Sequence, residues 1–187
     1  MSASAVQVFR AMAYNNGWAN HRLLAACEAL DDGAFQAPRI SFFPSLMATL
    51  NHILTVDWFY VDALEGGTLG HEAFVDETPF KTAAELRPAQ RSVDDRLIAV
   101  CESLDDAVLE GEVRVHRGER VQVERRDRLL LHLFQHQIHH RGQAHAMLSG
   151  TTVAPPQLDE FFSAGEAPLR AAEFAQLGWS EERVWGS

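Results

Sequence analysis

His132-Leu133-Phe134-Gln135-His136-Gln137-Ile138-His139-His140-Arg141-Gly142-Gln143-Ala144-His145 is the stretch on which the fold and the chemistry of this chain turn. A helix advances roughly 100° per residue, so His132, His136 and His140, each four apart, stack in a narrow stripe. Leu129, Leu133, Gln143, Ala144 and Met147 fall on or beside that stripe, which predicts that it faces an apolar core. His139 lies to one side, and His145 faces away. The periodic segment covers residues 124–148 and stops at Gly150, long enough for one helix of a bundle.

Three more long helices precede it. The first, over residues 4–30, repeats Val6, Phe9, Ala13, Gly17, Leu23 and Leu24 near helical spacing, with Asp31-Asp32-Gly33 as its expected stop. The second is expected from Pro44, with Ser41 as a cap, through Leu46, Leu50, Ile53, Leu54, Phe59 and Leu64 to Gly66-Gly67. Residues 68–79 read as a polar, irregular loop. The third opens at Lys81 or Thr82 and carries Leu86, Val93, Leu97, Val100 and Leu104, and Pro88 predicts a late start or a kink. Over residues 112–123 the period drops to two. Val113 and Val115, then Val121 and Val123, alternate with polar residues around His116-Arg117-Gly118-Glu119, the pattern of a short hairpin. Residues 151–187 hold Pro155-Pro156 and short helical stretches, and are expected to pack over the rest. The expected fold class is all-α: a four-helix bundle with a small β-hairpin inserted before the last long helix. One domain over residues 1–187 is expected, with the bundle at about 4–150.

Composition narrows the function classes. Sixteen Lys and Arg against 26 Asp and Glu leave a net charge of −10, so no cationic surplus serves a nucleic acid or an anionic membrane. The two cysteines, Cys27 and Cys101, cannot build a disulfide framework and suit a reducing compartment, as reduced, buried residues that are not ligands. No charged-then-apolar leader opens the sequence, and no apolar run approaches the roughly 18 residues of a spanning helix, so a cytoplasmic location is expected.

Nine histidines are what remains to be explained. Two at i and i+4 can hold one metal from one helix, and a catalytic site usually takes a third protein ligand. His52 is the best third candidate, because Ala48, Thr49, Val56, Phe59 and Ala63 share its side of a nearly all-apolar helix. His71 in a loop and His116 at a hairpin tip are expected at the surface, and His21, in a polar stretch, is a weaker fourth candidate. A lone inward histidine is more often a hydrogen-bonded core residue than a ligand. A cluster weighs the other way, since charged imidazoles repel and need a shared partner. Paired Glu-x-x-His motifs of di-iron bundles are absent from matching positions, which favours a single metal.

Three segments resemble the DinB/YfiT-like metalloenzyme family, named for damage induction and unrelated to the polymerase of that name. Tyr14-Asn15-Asn16-Gly17-Trp18-Ala19-Asn20 resembles its first-helix motif. Leu50-Asn51-His52-Ile53-Leu54, followed by Asp57, resembles its second-helix histidine segment. Leu133 to Gln143 resembles its last-helix H-x-x-x-H-R-G-Q signature, with Gln135 where the family frequently has Asn. The resemblance spans about residues 5–165 and implies a four-helix bundle, often dimeric, in which His52, His136 and His140 hold one divalent metal. Zinc or nickel is the leading expectation, with iron or copper also compatible with imidazole ligands. Relatives include metal-dependent thiol transferases and a thiol-dependent isomerase. The resemblance therefore implies a metal-dependent enzyme, thiol transferase-like or hydrolytic, acting on a small molecule that can be a thiol. The alternative is a non-catalytic, stress-related bundle whose metal is structural. Gly142, costly in mid-helix, points to a close helix contact across a homodimer. Asp57 is a candidate for orienting a ligand imidazole, and Arg141 for pairing with an acid, while Trp18 and Trp58 read as core aromatics.

Overall fold

Short side-chain caps set where the helices begin in the computed structural model, which describes residues 4–186. Residues 1–3 and 187 of the expected domain lie outside the described residues. Helix α1 is Ala5–Glu28, its first turn closed by the Ser4 hydroxyl accepting from the Gln7 amide at 3.2 Å. Helix α3 is Leu46–Leu64, capped by Ser45 rather than Ser41, and Gly66 follows it at φ +86°. Helix α4 is Ala83–Glu102, opened by a reciprocal capping box between Thr82 and Glu85. Pro88 neither delays nor ends α4. Helix α6 is Arg126–Leu148. These four make the bundle, with α1 packed chiefly on α4 and α3 chiefly on α6.

The connections depart from the expected pattern in two places. Asp31-Asp32-Gly33 is not a glycine stop, because Asp31 caps a short helix α2, Asp32–Gln36, accepting from the Ala34 amide at 2.7 Å. The loop before α4 contains a 3₁₀ turn, Gly70–Phe74. After α4, a one-turn helix α5, Asp106–Glu110, leads into strands β1, Glu112–Arg117, and β2, Arg120–Arg125. They pair antiparallel across a two-residue turn in which Gly118 takes φ +68°, the left-handed region a hairpin of this length needs. Register pairs Val113 with Glu124 and Val115 with Gln122. Cross-strand partners share a face, so Val113 and Val115 enter the core while Val121 and Val123 face solvent. Of the two strands, only β1 contributes valines to the core. Beyond α6, helices α7, Ala167–Leu177, and α8, Glu181–Trp185, cover the bundle, with Phe161, Phe174, Trp179 and Val184 buried beneath them. None of the described helices is long and apolar enough to cross a membrane.

A polar layer crosses the apolar interior and touches all four bundle helices. Asp94 of α4 accepts from Asn16 at 3.0 Å and Asn20 at 2.9 Å, both on α1. Gln90 donates to Asp94 at 3.2 Å and to Asp57 of α3 at 2.7 Å. From α6, Gln137 donates to Asp57, and Arg141 donates to Asn16 and, at 3.1 Å, to Asn20. Burial pulls the Arg141 guanidinium down to about 10, so it stays charged at neutral pH. Burial pushes the Asp94 carboxyl up to about 7 and raises Asp57 as well, the Asp94 charge adding to the latter. Arg141 is therefore no solvated charge but a buried cation held mainly by neutral oxygens.

Candidate metal centre

His136 and His140 project from one face of α6 toward α3, which presents His52. The His52 and His136 Nε2 atoms stand 3.0 Å apart, and one nitrogen from each of the three rings lies within 4.8 Å of the others. Ring centroids are 5.0 Å apart for His52 and His136, 4.7 Å for His52 and His140, and 4.4 Å for His136 and His140. The structure thus brings together the three residues singled out in the sequence. No Cys, Asp, Glu or further His joins this cluster among the described residues.

The surroundings prepare these rings as neutral donors. Burial, and then neighbouring imidazoles, push His136 down to about 3; burial, and then His140, push His52 down to about 4. His140 is lowered too, by burial first, although its contact with Gln143 works the other way. His140 Nδ1 lies 2.9 Å from Gln143 Oε1, an arrangement in which Nδ1–H donates and Nε2 keeps its lone pair. Gln143 in turn donates to His139 Nε2 at 3.1 Å. The His136 Nδ1 is buried without a partner, so its polar contact within the protein is at Nε2. Two imidazole nitrogens facing each other at this range repel unless a proton or a cation lies between them. Two nitrogens each 2.0–2.1 Å from a tetrahedral ion sit roughly 3.3 Å apart, so the spacing fits a shared cation after a small adjustment. The donor set fits a divalent ion of the zinc, nickel, copper or iron type.

Phe43, from the segment between α2 and α3, lies 4.3 Å from the His52 ring and 5.5 Å from His140. Beside it opens a cavity of about 410 Å³ lined by Phe43, Ala48, His52, Thr55, Phe74 and Glu77. The cluster therefore adjoins a mostly apolar space with one carboxylate at its edge.

Several sequence expectations need correction. His132 is exposed, its ring 6.4 Å from His136 and edge-on to Tyr60 at 5.4 Å. Each four-residue step overshoots a full turn by roughly 40°, so by the second step the stripe has turned about 80° and cannot stay wholly inward. His116 is half-buried on β1 opposite Val121 rather than exposed at a tip, while His71 is exposed as expected. His145 is half-buried, with Nε2 2.9 Å from the Pro156 carbonyl. His21 is remote from the cluster and lines another cavity with Gly17, Arg87 and Asp94. Asp57 orients no histidine; its hydrogen bonds go to Gln90 and Gln137. Gln135 is exposed, and a Cβ added at Gly142 meets nothing within 4 Å, so no close helix contact within the chain explains that glycine. Trp18 is buried as expected, whereas Trp58 is half-buried. Cys27 and Cys101 are buried free thiols outside the cluster, pushed up to about 12 by burial. The polar layer was missed in sequence. Its one available signal was polar residues at helical spacing within otherwise apolar helices: Asn16 and Asn20, Gln90 and Asp94, Gln137 and Arg141.

The sequence pattern of the DinB family matches residues 1–171, so the chain belongs to the DinB family. No curated protein matches it.

Proposed function

We propose that this chain is a metal-dependent enzyme in which His52, His136 and His140 hold one divalent ion, zinc or nickel foremost. The observation that carries this reading is the cluster of three neutral imidazoles from two helices beside an apolar cavity. Three protein ligands, with no fourth among the described residues, suit catalysis better than a closed structural site. A divalent ion there supplies positive charge that makes a bound thiol or water more acidic, or polarises a carbonyl. The chain's own part is orientation and exclusion. Gln143 fixes the His140 ring, Phe43 screens His52 and His140 from water, and Phe43 and Phe74 receive the apolar body of a small substrate. Thiol transfer and hydrolysis both suit such a site, and Glu77, the carboxylate lining the adjoining cavity, is the candidate base for the second. The reading includes a homodimer that covers the exposed face of α6 where Ile138 and Gly142 lie.

Metal analysis of untagged protein tests the proposal: one ion per chain is expected, lost when His136 or His140 becomes Ala. A full metal complement in either variant would overturn the ligand assignment. If metal is bound but no thiol or water competes for it, the ion is structural.

A further inference from the structure

Arg117 closes β1 on the hairpin face that looks toward the bundle. Its Nε donates to Gln122 at 2.7 Å, its Nη2 donates to the Tyr60 hydroxyl at 3.1 Å, and the guanidinium lies 5.1 Å over the Phe59 ring. These contacts fix the plane of the group with neutral partners. Arg22, Arg87, Arg96, Arg125, Arg170 and Arg183 each pair with a carboxylate, whereas no carboxylate lies within 4.0 Å of Arg117 among the described residues. Its Nη1 makes no hydrogen bond there either. In a chain with net charge −10, Arg117 is thus half-buried, oriented and without a carboxylate partner; Arg10, Arg39 and Arg126 share that lack, but their hydrogen bonds go to backbone carbonyls.

That group lines a cavity of about 250 Å³ with Tyr60, Gln122, Glu124, Arg128 and His132. His132, which lines this cavity, has its ring centroid 6.4 Å from that of His136 in the three-histidine cluster. Its volume suits one arm of a ligand rather than a whole drug-sized molecule. A guanidinium edge matches a planar carboxylate by two parallel hydrogen bonds. Glu124, 3.5 Å from Arg128, offsets part of the positive charge and disfavours a group that carries two charges at one centre, such as phosphate, relative to a single carboxylate. We infer that Arg117 anchors a carboxylate-binding subsite, which takes the acidic arm of the small molecule whose reactive end lies at the histidine cluster. The carboxylate site stands on Arg117's own surroundings, and only its role in holding a substrate rests on the metal-centre reading.

The test is a titration of succinate into the ¹⁵N-labelled full chain, as purified and after chelator treatment, followed at the Tyr60, Gln122 and His132 amides. Saturable shifts are expected in both samples, at least about tenfold weaker in Arg117→Gln, the cost of a lost charge-assisted pair. Arg114→Gln, on the opposite face of β1, should leave the affinity unchanged. Arg117→Lys keeps the charge but loses the fork and should weaken binding several-fold, which decides the matter if Arg117→Gln fails to fold. Shifts that do not saturate, equal affinity in the Arg117 variants, or tighter binding of inorganic phosphate than of succinate would overturn the assignment. Chelator-treated protein reports on the subsite alone, so failed metal uptake and a failed succinate titration are separate results.

Discussion

Changing His136 to Ala removes the proposed ligand with the most perturbed ring and should do two opposite things. The His52 and His136 Nε2 atoms are 3.0 Å apart, within about 0.3 Å of the spacing a tetrahedral zinc-sized ion requires. So little rearrangement is needed that loss of one nitrogen translates almost wholly into lost affinity. Removing a mere supporting partner of a ligand costs 10–100-fold, so removing the ligand should cost at least about 100-fold, or about 2.7 kcal/mol. The metal-free protein should respond in the other direction to acid. Burial holds His136 at about 3, below its ordinary value, so the unfolded chain takes up a proton that the native chain refuses. Stability of the metal-free wild type therefore falls as pH drops from about 6.5 toward about 3. With the ring's partial exposure discounted, this is about 1 kcal/mol at pH 5. His136→Ala should flatten that slope while weakening the metal. Chelator competition at pH 7 reads the first effect, and urea unfolding at pH 7 and pH 5 reads the second. Metal affinity in the variant equal to that of the wild type would show the three rings to be packing residues. For the same reason, acid release of the metal should begin well below the 6.5 of a free imidazole.

Arg141→Met strips the polar layer of its cation and leaves the Asn16 and Asn20 oxygens without a donor, so about 3 kcal/mol of stability should be lost in urea unfolding; a loss below about 1 kcal/mol would mean the layer contributes little. Asp94, held near 7, contributes stability that is present in acid and lost as pH rises through that value, so Asp94→Asn should gain on wild type between pH 5 and pH 9; parallel pH profiles would contradict it. Cys27 and Cys101, buried and pushed up to about 12, should resist thiol reagents in the native protein, and replacing both by Ala should leave metal content unchanged. Sedimentation should show a dimer at micromolar concentration that Ile138→Glu dissociates, and a monomeric wild type would remove the dimer from the proposal.

Periodicity made the four long helices legible, because each carries apolar residues at spacings that only a helix places on one side. The hairpin was legible from Val113 and Val115, but the outward turn of Val121 and Val123 depends on register, which alternation alone leaves open. Ser45 replaced Ser41 as a cap because a cap is decided by backbone geometry at a single residue. The i,i+4 pair on α6 was visible from spacing, whereas the meeting of His52 with it depends on how α3 rolls against α6, a property of packing. His132 shows the limit of the stripe argument: one step of four preserves a face and two steps do not. Arg117 left no pattern to read, since its lack of an acidic partner exists only once the hairpin is folded onto Tyr60 and Phe59.

The polar layer and the histidine cluster are two sectors of the same helix. Gln137 and Arg141 each follow a cluster histidine by one residue, roughly 100° further round α6. Both are buried, Gln137 bonded to Asp57 of α3 and Arg141 to Asn16 and Asn20 of α1. Rolling α6 by even one residue would carry Arg141 out of its oxygen partners, and an unpaired buried charge costs several kcal/mol. The roll that satisfies Arg141 and Gln137 is also the roll that turns His136 and His140 toward His52. A purely apolar interface would allow neighbouring rolls at similar cost, because apolar contacts are not directional. Directional bonds to two different helices leave one. Arg141 and Gln137 therefore act on the candidate metal centre as positioning residues, although no hydrogen bond joins them to any of its three histidines.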